Sequence, residues 1–348
     1  MRYTLLGILL LICLAAPLQA AKYAGEFLEI GVGARAVGMG GAVTAITDDP
    51  MSFYWNPAGM GYLSGLHVSG MYADLWNGLA NYSVAGIALP ASGAVLAANY
   101  VRLGVPDIQQ HPDYDALLLS NRLYTINNGD TTFYNSVQAY LLATGAAPAG
   151  VFSDNESALF VTFARNNQFT LDLGWSYFTL PVEIPVGASL KIINQSLGGA
   201  SGSATGADVG MQVKVKASDI FNENWKATFA WGFNVQDLTR TAINWGQNNK
   251  DAIPTNFRNG VAYIQKMPGR NSFLTLSYDV EKRWERVSHY GAEFRYARTL
   301  ALRGGLWGKE WTAGAGLSIW RASVASGILA SCSFLSVANC SRLASASS

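Results

Sequence analysis

Segments of strand length in which apolar and polar residues alternate recur along this chain. The clearest runs from residue 289 to residue 296, where aromatic and alanine residues alternate with histidine, glycine, glutamate and arginine. Similar segments lie at residues 169–177, 208–215 and 225–235. Because successive side chains of a β-strand point to opposite faces, each segment predicts a strand with one apolar and one polar face. The sequence therefore predicts an all-β fold.

A β-sandwich in water shows the same alternation, so composition is needed to choose between a sandwich and a barrel. Only 14% of the 348 residues are charged, whereas 50% are hydrophobic and 12% are aromatic. A soluble domain typically carries about 25% charged residues. A barrel in lipid replaces surface charge with apolar side chains and places aromatic residues at the membrane interfaces. We therefore predict a transmembrane antiparallel β-barrel over residues 62–320.

Residues 1–20 predict a removable export signal. Arg2 precedes an apolar run from Leu5 to Leu14, and the small residues Ala20 and Ala21 suit cleavage. The alternative is a membrane anchor, but the apolar run is shorter than the roughly 20 residues that a spanning helix needs. An export signal followed by a barrel predicts a location in the bacterial outer membrane.

Residues 21–61, between the predicted signal and the first predicted strand, are rich in glycine and poor in charge. Repeated glycines indicate backbone conformations that other residues avoid, so we expect this segment to fold against the barrel rather than alone. Gly31, Gly33 and Ala36 match a dinucleotide-binding fingerprint, but that motif requires a βαβ unit, which an all-β chain lacks. The adjacent Asp48 and Asp49 favour a turn over a carboxylate pair or a calcium site.

Nothing in the sequence predicts catalysis, a cofactor or a metal site. His67, His111 and His289 have no second ligand at metal-binding spacing, and two of the three cysteines, Cys332 and Cys340, lie near the C terminus. The formal charge of +1 makes nucleic acid an unsuitable partner. We therefore expect a protein that is not an enzyme.

Three regions interrupt the alternation. Residues 106–155 are too many for a hairpin turn and predict an external or inward-folded loop, with a short helix near residues 116–123. Residues 197–206 are rich in glycine and serine and predict a flexible loop. Residues 321–348 form an atypical serine-rich tail without a terminal aromatic residue, which indicates either degenerate closing strands or a frame change in the gene.

The order and spacing of residues 24–60 resemble the start of PorV/PorQ-family proteins. The matching runs are AGEFL, GVGARAVGMGGA, the pair of aspartates and YWNPAGM. The same residues are similar, less closely, to the N-terminal plug of FadL-type transporters of fatty acids and hydrocarbons. The resemblance implies a FadL-like barrel of about 14 strands with the N-terminal plug in its lumen. The plug residues that the motif implies are Gly31, Gly33, Arg35, Gly38, Gly40, Gly41, Asp48, Asp49, Asn56, Pro57 and Gly59.

The resemblance implies two different functions. PorV proteins bind the C-terminal domains of secreted cargo in the type IX secretion system and associate with its translocon and attachment components. FadL relatives instead carry hydrophobic small molecules inward. The PorV-like motif favours cargo binding and shuttling, with uptake of a hydrophobic ligand as the alternative. A simple porin is disfavoured because the plug would obstruct an open pore. In each case the barrel is expected to lie in outer-membrane lipid.

Overall fold

The computed structural model describes residues 25–110, 124–127, 130–145, 150–172, 174, 179–221, 224–246, 249–268, 271–319 and 322–326. The predicted export signal, the predicted helix near residues 116–123 and residues 327–348 of the predicted tail lie outside the described residues. The strands are β1 (His67–Leu75), β2 (Ala80–Ala91), β3 (Ala94–Gln110), β4 (Tyr124–Asn127), β5 (Asp130–Phe133), β6 (Gly150–Asp172), β7 (Thr179–Leu197), β8 (Ala200–Lys216), β9 (Ala227–Gln236), β10 (Ala242–Asn244), β11 (Lys250–Ala252), β12 (Asn256–Met267), β13 (Ser272–Lys282), β14 (Arg286–Tyr296), β15 (Leu300–Trp307), β16 (Glu310–Ile319) and β17 (Ala322–Ser326).

Short helices accompany the strands. The α-helices are α1 (Ala34–Gly38), α2 (Ser52–Trp55), α3 (Val137–Thr144) and α4 (Ala217–Ile220), and 3-10 helices span Glu26–Glu29 and Pro57–Tyr62. None of the helices in the described residues is long and apolar enough to cross a membrane.

Thirteen strands form one continuous antiparallel path in the order β1-β2-β3-β6-β7-β8-β9-β12-β13-β14-β15-β16-β17. The short strands β10 and β11 add to this sheet beside β8, and β4 and β5 form a separate hairpin. The predicted all-β fold, built on one large antiparallel sheet with an N-terminal plug segment, is confirmed. Among the described residues, β1 and β17 stand at the two ends of the path and do not pair. Strand β17 lies within the segment predicted as a tail.

The two ends of the strands have connections of different length. Residues 111–149 and 237–255 join strands at one end, which we call the long-loop end. The opposite end has turns such as Ser92–Gly93 and residues 297–299, and we call it the short-turn end. In outer-membrane β-barrels the long loops lie outside the cell and the short turns face the periplasm.

The outward face carries an apolar band. Leu96 and Tyr100 on β3 alternate with inward residues and are 50% and 44% exposed, and Phe163 beside Leu96 on β6 is 50% exposed. The band lies between Arg102, paired with Ser157, and Arg165, eight residues further along β6. At roughly 3.3 Å per residue and a tilt of about 40°, this separation gives ~20 Å of height, close to the hydrocarbon-facing band of an outer-membrane barrel.

Three sequence predictions need correction. Residues 197–206 are not a flexible loop, because Gly198 and Gly199, with φ of 56° and 92°, form a tight turn and β8 begins at Ala200. The interrupted region 106–155 is shorter than predicted, because β3 continues to Gln110 and β6 begins at Gly150. Residues 169–172 do not begin a separate strand, because they complete β6, and residues 173 and 175–177 lie outside the described residues.

Candidate functional site: the plugged lumen

Residues 25–63, which we call the plug, lie against the inner face of the strand path. Wall glycines make this close approach possible, and three pairs of them face each other across neighbouring strands: Gly187–Gly210, Gly232–Gly260 and Gly291–Gly305. A Cβ atom added at Gly187, Gly232, Gly291 or Gly305 would lie less than 3.0 Å from backbone atoms of the plug. The wall is therefore shaped to receive plug backbone directly, without intervening side chains.

Inward side chains on β8, β9, β12, β13 and β14 bind the plug backbone, and we call these strands the polar side. Asp279 accepts hydrogen bonds of 2.9 Å from the N–H groups of both Val43 and Thr44. The remaining wall side chains donate to plug carbonyl groups: Gln212 to Thr44 and Thr47, Asn234 to Trp55, Gln236 to Tyr54, Arg258 to Gly41 and Ser277 to Ala42. These bonds satisfy buried backbone groups that short helices and turns leave unpaired.

Asn56 joins the plug to itself and to the wall. Its fully buried side chain donates to the carbonyl oxygens of Thr44 at 2.8 Å and Met211 at 3.1 Å, and accepts from the N–H of Ala58. Pro57 follows at the first position of a 3-10 helix, where its missing N–H is not needed. Gly210 and Gly187 leave the space that Asn56 and Pro57 occupy.

Arg35 links the plug to β14 at the short-turn half of the lumen. Its guanidinium forms an ion pair with Asp48, and lies 3.4 Å from Asp49 and 3.2 Å from Glu293. Burial is the largest single influence on Asp48 and would raise its pKa, but the charges of Arg35, Lys214 and Arg295 together lower it. For Asp49 burial prevails over Arg35, and its pKa is raised. Asp49 also accepts from the N–H of Met51 at 2.9 Å, which shapes the turn before α2.

A second set of charges holds the plug near its middle. Arg258 lies 2.7 Å from Glu281, donates to Gly41 and places its guanidinium 4.8 Å from the centre of the Trp55 ring. His289 lies with its Nδ1 atom 2.8 Å from the carbonyl oxygen of Gly40, so this nitrogen carries the proton that the oxygen accepts. The plug is thus fixed to the polar side along its length.

The opposite wall, formed by β1, β2, β3 and β6, contacts the plug differently, and we call it the apolar side. Buried Tyr82, Val101 and Phe160 face the plug from this wall, with exposed fractions of 0%, 0% and 2%. They belong to the same core as the plug residues Phe27 and Phe53, and the rings of Phe53 and Phe160 are 5.0 Å apart. The plug is therefore packed here mainly by apolar contacts.

The sequence-predicted plug residues are brought together in this lumen. Gly31, Gly33, Gly40 and Gly41 have positive φ, between 64° and 93°. Gly38 packs on the backbone of Gly314, and Gly59 packs on Thr47 and Ser52. The wall residues that bind the plug, such as Asp279 and Gln212, were not predicted. Their signal was the polar side chain at alternate positions of otherwise apolar strands.

The described residues contain no cluster of histidine, cysteine, aspartate or glutamate that could hold a metal ion. Buried carboxylates of the lumen instead face cations or backbone N–H groups. Glu293, for example, lies 2.7 Å from both Arg295 and Arg303.

Comparison with known proteins gives structural neighbours only. No family model matches the chain, and no curated protein matches it. The chain is similar to the toluene transporter TbuX of Ralstonia pickettii, with a TM-score of 0.41, 11% identity and coverage of 86% of this chain and 93% of that one. It is also similar to the CymD monoaromatic hydrocarbon channel, with a TM-score of 0.36, 10% identity and coverage of 83% and 94%. The toluene transporter TodX of Pseudomonas putida gives a TM-score of 0.35, 10% identity and coverage of 84% and 94%.

Proposed function

We propose that this chain is an outer-membrane barrel that takes up a hydrophobic small molecule along the apolar side of its plug. The observation that carries the proposal is the asymmetry of the lumen. Hydrogen bonds between wall side chains and plug backbone groups hold the plug to the polar side, whereas mainly apolar packing joins it to β1, β2, β3 and β6. A path that opens on the apolar side leaves the directional bonds of the polar side intact.

The two sides differ in the free energy that is lost when the plug separates from the wall. Breaking a buried hydrogen bond leaves polar groups unsatisfied, at a cost of about 1–3 kcal/mol for each group. Separating apolar surfaces also costs free energy, but a hydrophobic molecule between them restores the lost contacts. A lipophilic guest therefore offsets the cost of opening the apolar side, and a polar guest does not.

Binding of naphthalene to the purified barrel in detergent tests this proposal. We expect Val101→Phe, which fills the inward apolar surface, to weaken binding, and Phe160→Ala, which enlarges it, to preserve or strengthen binding. Val161→Phe is the matched control, because Val161 lies on the outward face of β6 and is 48% exposed. Folding of each variant is checked by its heat-dependent shift on a gel. Equal binding by all four folded proteins would contradict the proposal.

Capture of secreted cargo is a second candidate, and one observation favours it. Strand β3 continues for eight residues beyond Arg102 to Gln110, paired with the start of β6. Beyond these strands, the connection exposes Phe133 and Leu142 by 65% and 81%. Exposed apolar side chains on a segment that projects from a membrane suit contact with another protein.

Deleting residues 111–149 separates the two candidates. If the barrel captures cargo, the deletion abolishes retention of C-terminal cargo domains and spares naphthalene binding. If the barrel takes up a lipophile, wild-type protein binds naphthalene and retains no cargo domain. Retention of cargo without naphthalene binding would replace the proposed function with the second candidate.

A further inference from the structure

A row of polar residues, all short except Arg102, crosses the outward face just beyond the apolar band. Strand register places Ser83 beside Arg102, Arg102 beside Ser157, Ser157 beside Asn194 and Asn194 beside Ser203. All five positions are exposed or half-buried. The row therefore spans the five neighbouring strands β2, β3, β6, β7 and β8 without an apolar side chain.

A second row follows two residues nearer the long-loop end. It consists of Asn81, Gly104, Asn155, Ser196 and Ser201, which are again joined by strand register. We call the two rows together the polar belt. Because most of its side chains are short, the belt contains a hollow of about 260 Å³ between β2, β3 and β6.

Arg102 is the one cation in the belt, and it borders this hollow. Its Nη2 atom donates to Asn155 Oδ1 at 2.7 Å, which fixes the direction of the guanidinium. Within the described residues, no carboxylate forms an ion pair with Arg102. A guanidinium has five N–H donors, so donors of Arg102 remain for an anion.

The position of the belt indicates the kind of ligand. The belt borders the apolar band at the long-loop end, at the depth where lipid headgroups meet a barrel. Hydroxyl and amide groups suit the hydroxyls of a sugar, and a guanidinium suits a phosphate. We propose that the polar belt binds the phosphorylated headgroup of a glycolipid in the adjacent membrane leaflet, with Arg102 on the phosphate. This inference rests on the proposed membrane location and is independent of what the lumen carries.

Native mass spectrometry of the detergent-solubilised barrel tests the inference. The probes are a bisphosphorylated glucosamine-disaccharide lipid, the same lipid without phosphates, and inorganic phosphate. The proteins are wild type, Arg102→Gln and Arg165→Gln, the last as a control because Arg165 is outward and exposed at the other edge of the apolar band. Heat-dependent gel shifts establish separately that each protein is a folded barrel.

We expect wild type and Arg165→Gln to retain the phosphorylated lipid. Arg102→Gln should bind this lipid with an affinity about tenfold or more lower, because it loses a charge-assisted hydrogen bond to the phosphate. The dephosphorylated lipid should bind all three proteins equally and weakly. Equal weakening by both arginine variants would overturn the inference, as would equal affinity for the two lipids. Displacement of the lipid by millimolar inorganic phosphate would also overturn it, because the site would then recognise a free anion.

Discussion

The carboxylate of Asp279 accepts a hydrogen bond of 2.9 Å from the backbone N–H of Thr44, a residue 235 positions earlier in the chain. The same oxygen accepts from the N–H of Val43. One side chain of β13 therefore binds two neighbouring N–H donors of the plug, and the N–H of Val43 is also shared with the carbonyl oxygen of Gly41 at 3.1 Å.

Removing this carboxylate should loosen the plug. Asp279→Ala leaves the buried N–H of Thr44 without its acceptor and the N–H of Val43 with Gly41 as its remaining acceptor, and we expect a loss of about 1–3 kcal/mol in the free energy of unfolding. Asp279→Asn keeps one acceptor oxygen, so its free energy of unfolding should fall by less. The unfolding temperature in detergent, read from the heat-dependent gel shift, checks both. Asp74→Ala is the control, because Asp74 is exposed on the outward face of β1. A loss of stability in Asp74→Ala as large as that in Asp279→Ala would contradict the anchoring role of Asp279.

The neighbouring residues Gly304 and Gly305 give a matched pair on one strand. A Cβ atom at Gly305 meets the plug backbone at Met39 and Gly40, whereas a Cβ atom at Gly304 has its nearest neighbour at 4.0 Å. Gly305→Ala should therefore cost about 1–3 kcal/mol through overpacking, and Gly304→Ala should be close to neutral. The unfolding temperatures of the two variants test this difference. If both variants unfold at the same temperature, the plug does not fit the wall as described.

Asn56→Ala should destabilise the plug more than any outward asparagine change. The substitution removes the side-chain bonds to the carbonyl of Met211 and the N–H of Ala58, and leaves the carbonyl of Thr44 with Gln212 only, at a cost of about 1–3 kcal/mol. Asn81→Ala removes only an exposed contact with Tyr72 and serves as the control. Protection of the plug from added protease measures the effect. Equal protection in both variants would show that Asn56 does not anchor the plug.

The ion pair of Arg35 and Asp48 predicts a dependence of stability on pH. Because Arg35, Lys214 and Arg295 together lower the pKa of Asp48 in the folded protein, ionised Asp48 stabilises the fold at pH values above its ordinary value of 3.8. That stabilisation is lost as the pH falls through the lowered pKa. Wild type should therefore unfold at a higher temperature than Asp48→Asn at pH 6, and the two should converge near pH 2. A constant difference across this range would show that Asp48 is not the group responsible.

The all-β fold could be predicted from sequence because successive side chains of a strand point to opposite faces, which imposes period two. At residues 289–296, the apolar set faces outward and the polar set, which includes His289 and Glu293, is buried inside. The contacts between plug and wall could not be predicted, because the partners are far apart in sequence. Nothing near Asp279 indicates that its partner is Thr44.

Glycine content predicted the wrong structure for one segment. Residues 197–206 have the composition of a flexible loop, but Gly202 and Gly206 belong to β8. They are glycines because Ile243, Trp245 and Thr241 of the connection after β9 occupy the space beside them. Composition alone does not distinguish a glycine that gives flexibility from one that allows close packing.

The most direct test of the proposed uptake along the apolar side is the position of a lipophile within the protein. Crystals of the protein soaked with 1-bromodecane would locate the bromine by its anomalous scattering. We expect the bromine peak between the plug and the apolar side, in contact with Phe160 and Phe53, with the hydrogen bonds to Asp279 intact. A bromine peak between the plug and β12–β14, with the bonds to Asp279 broken, would contradict the account.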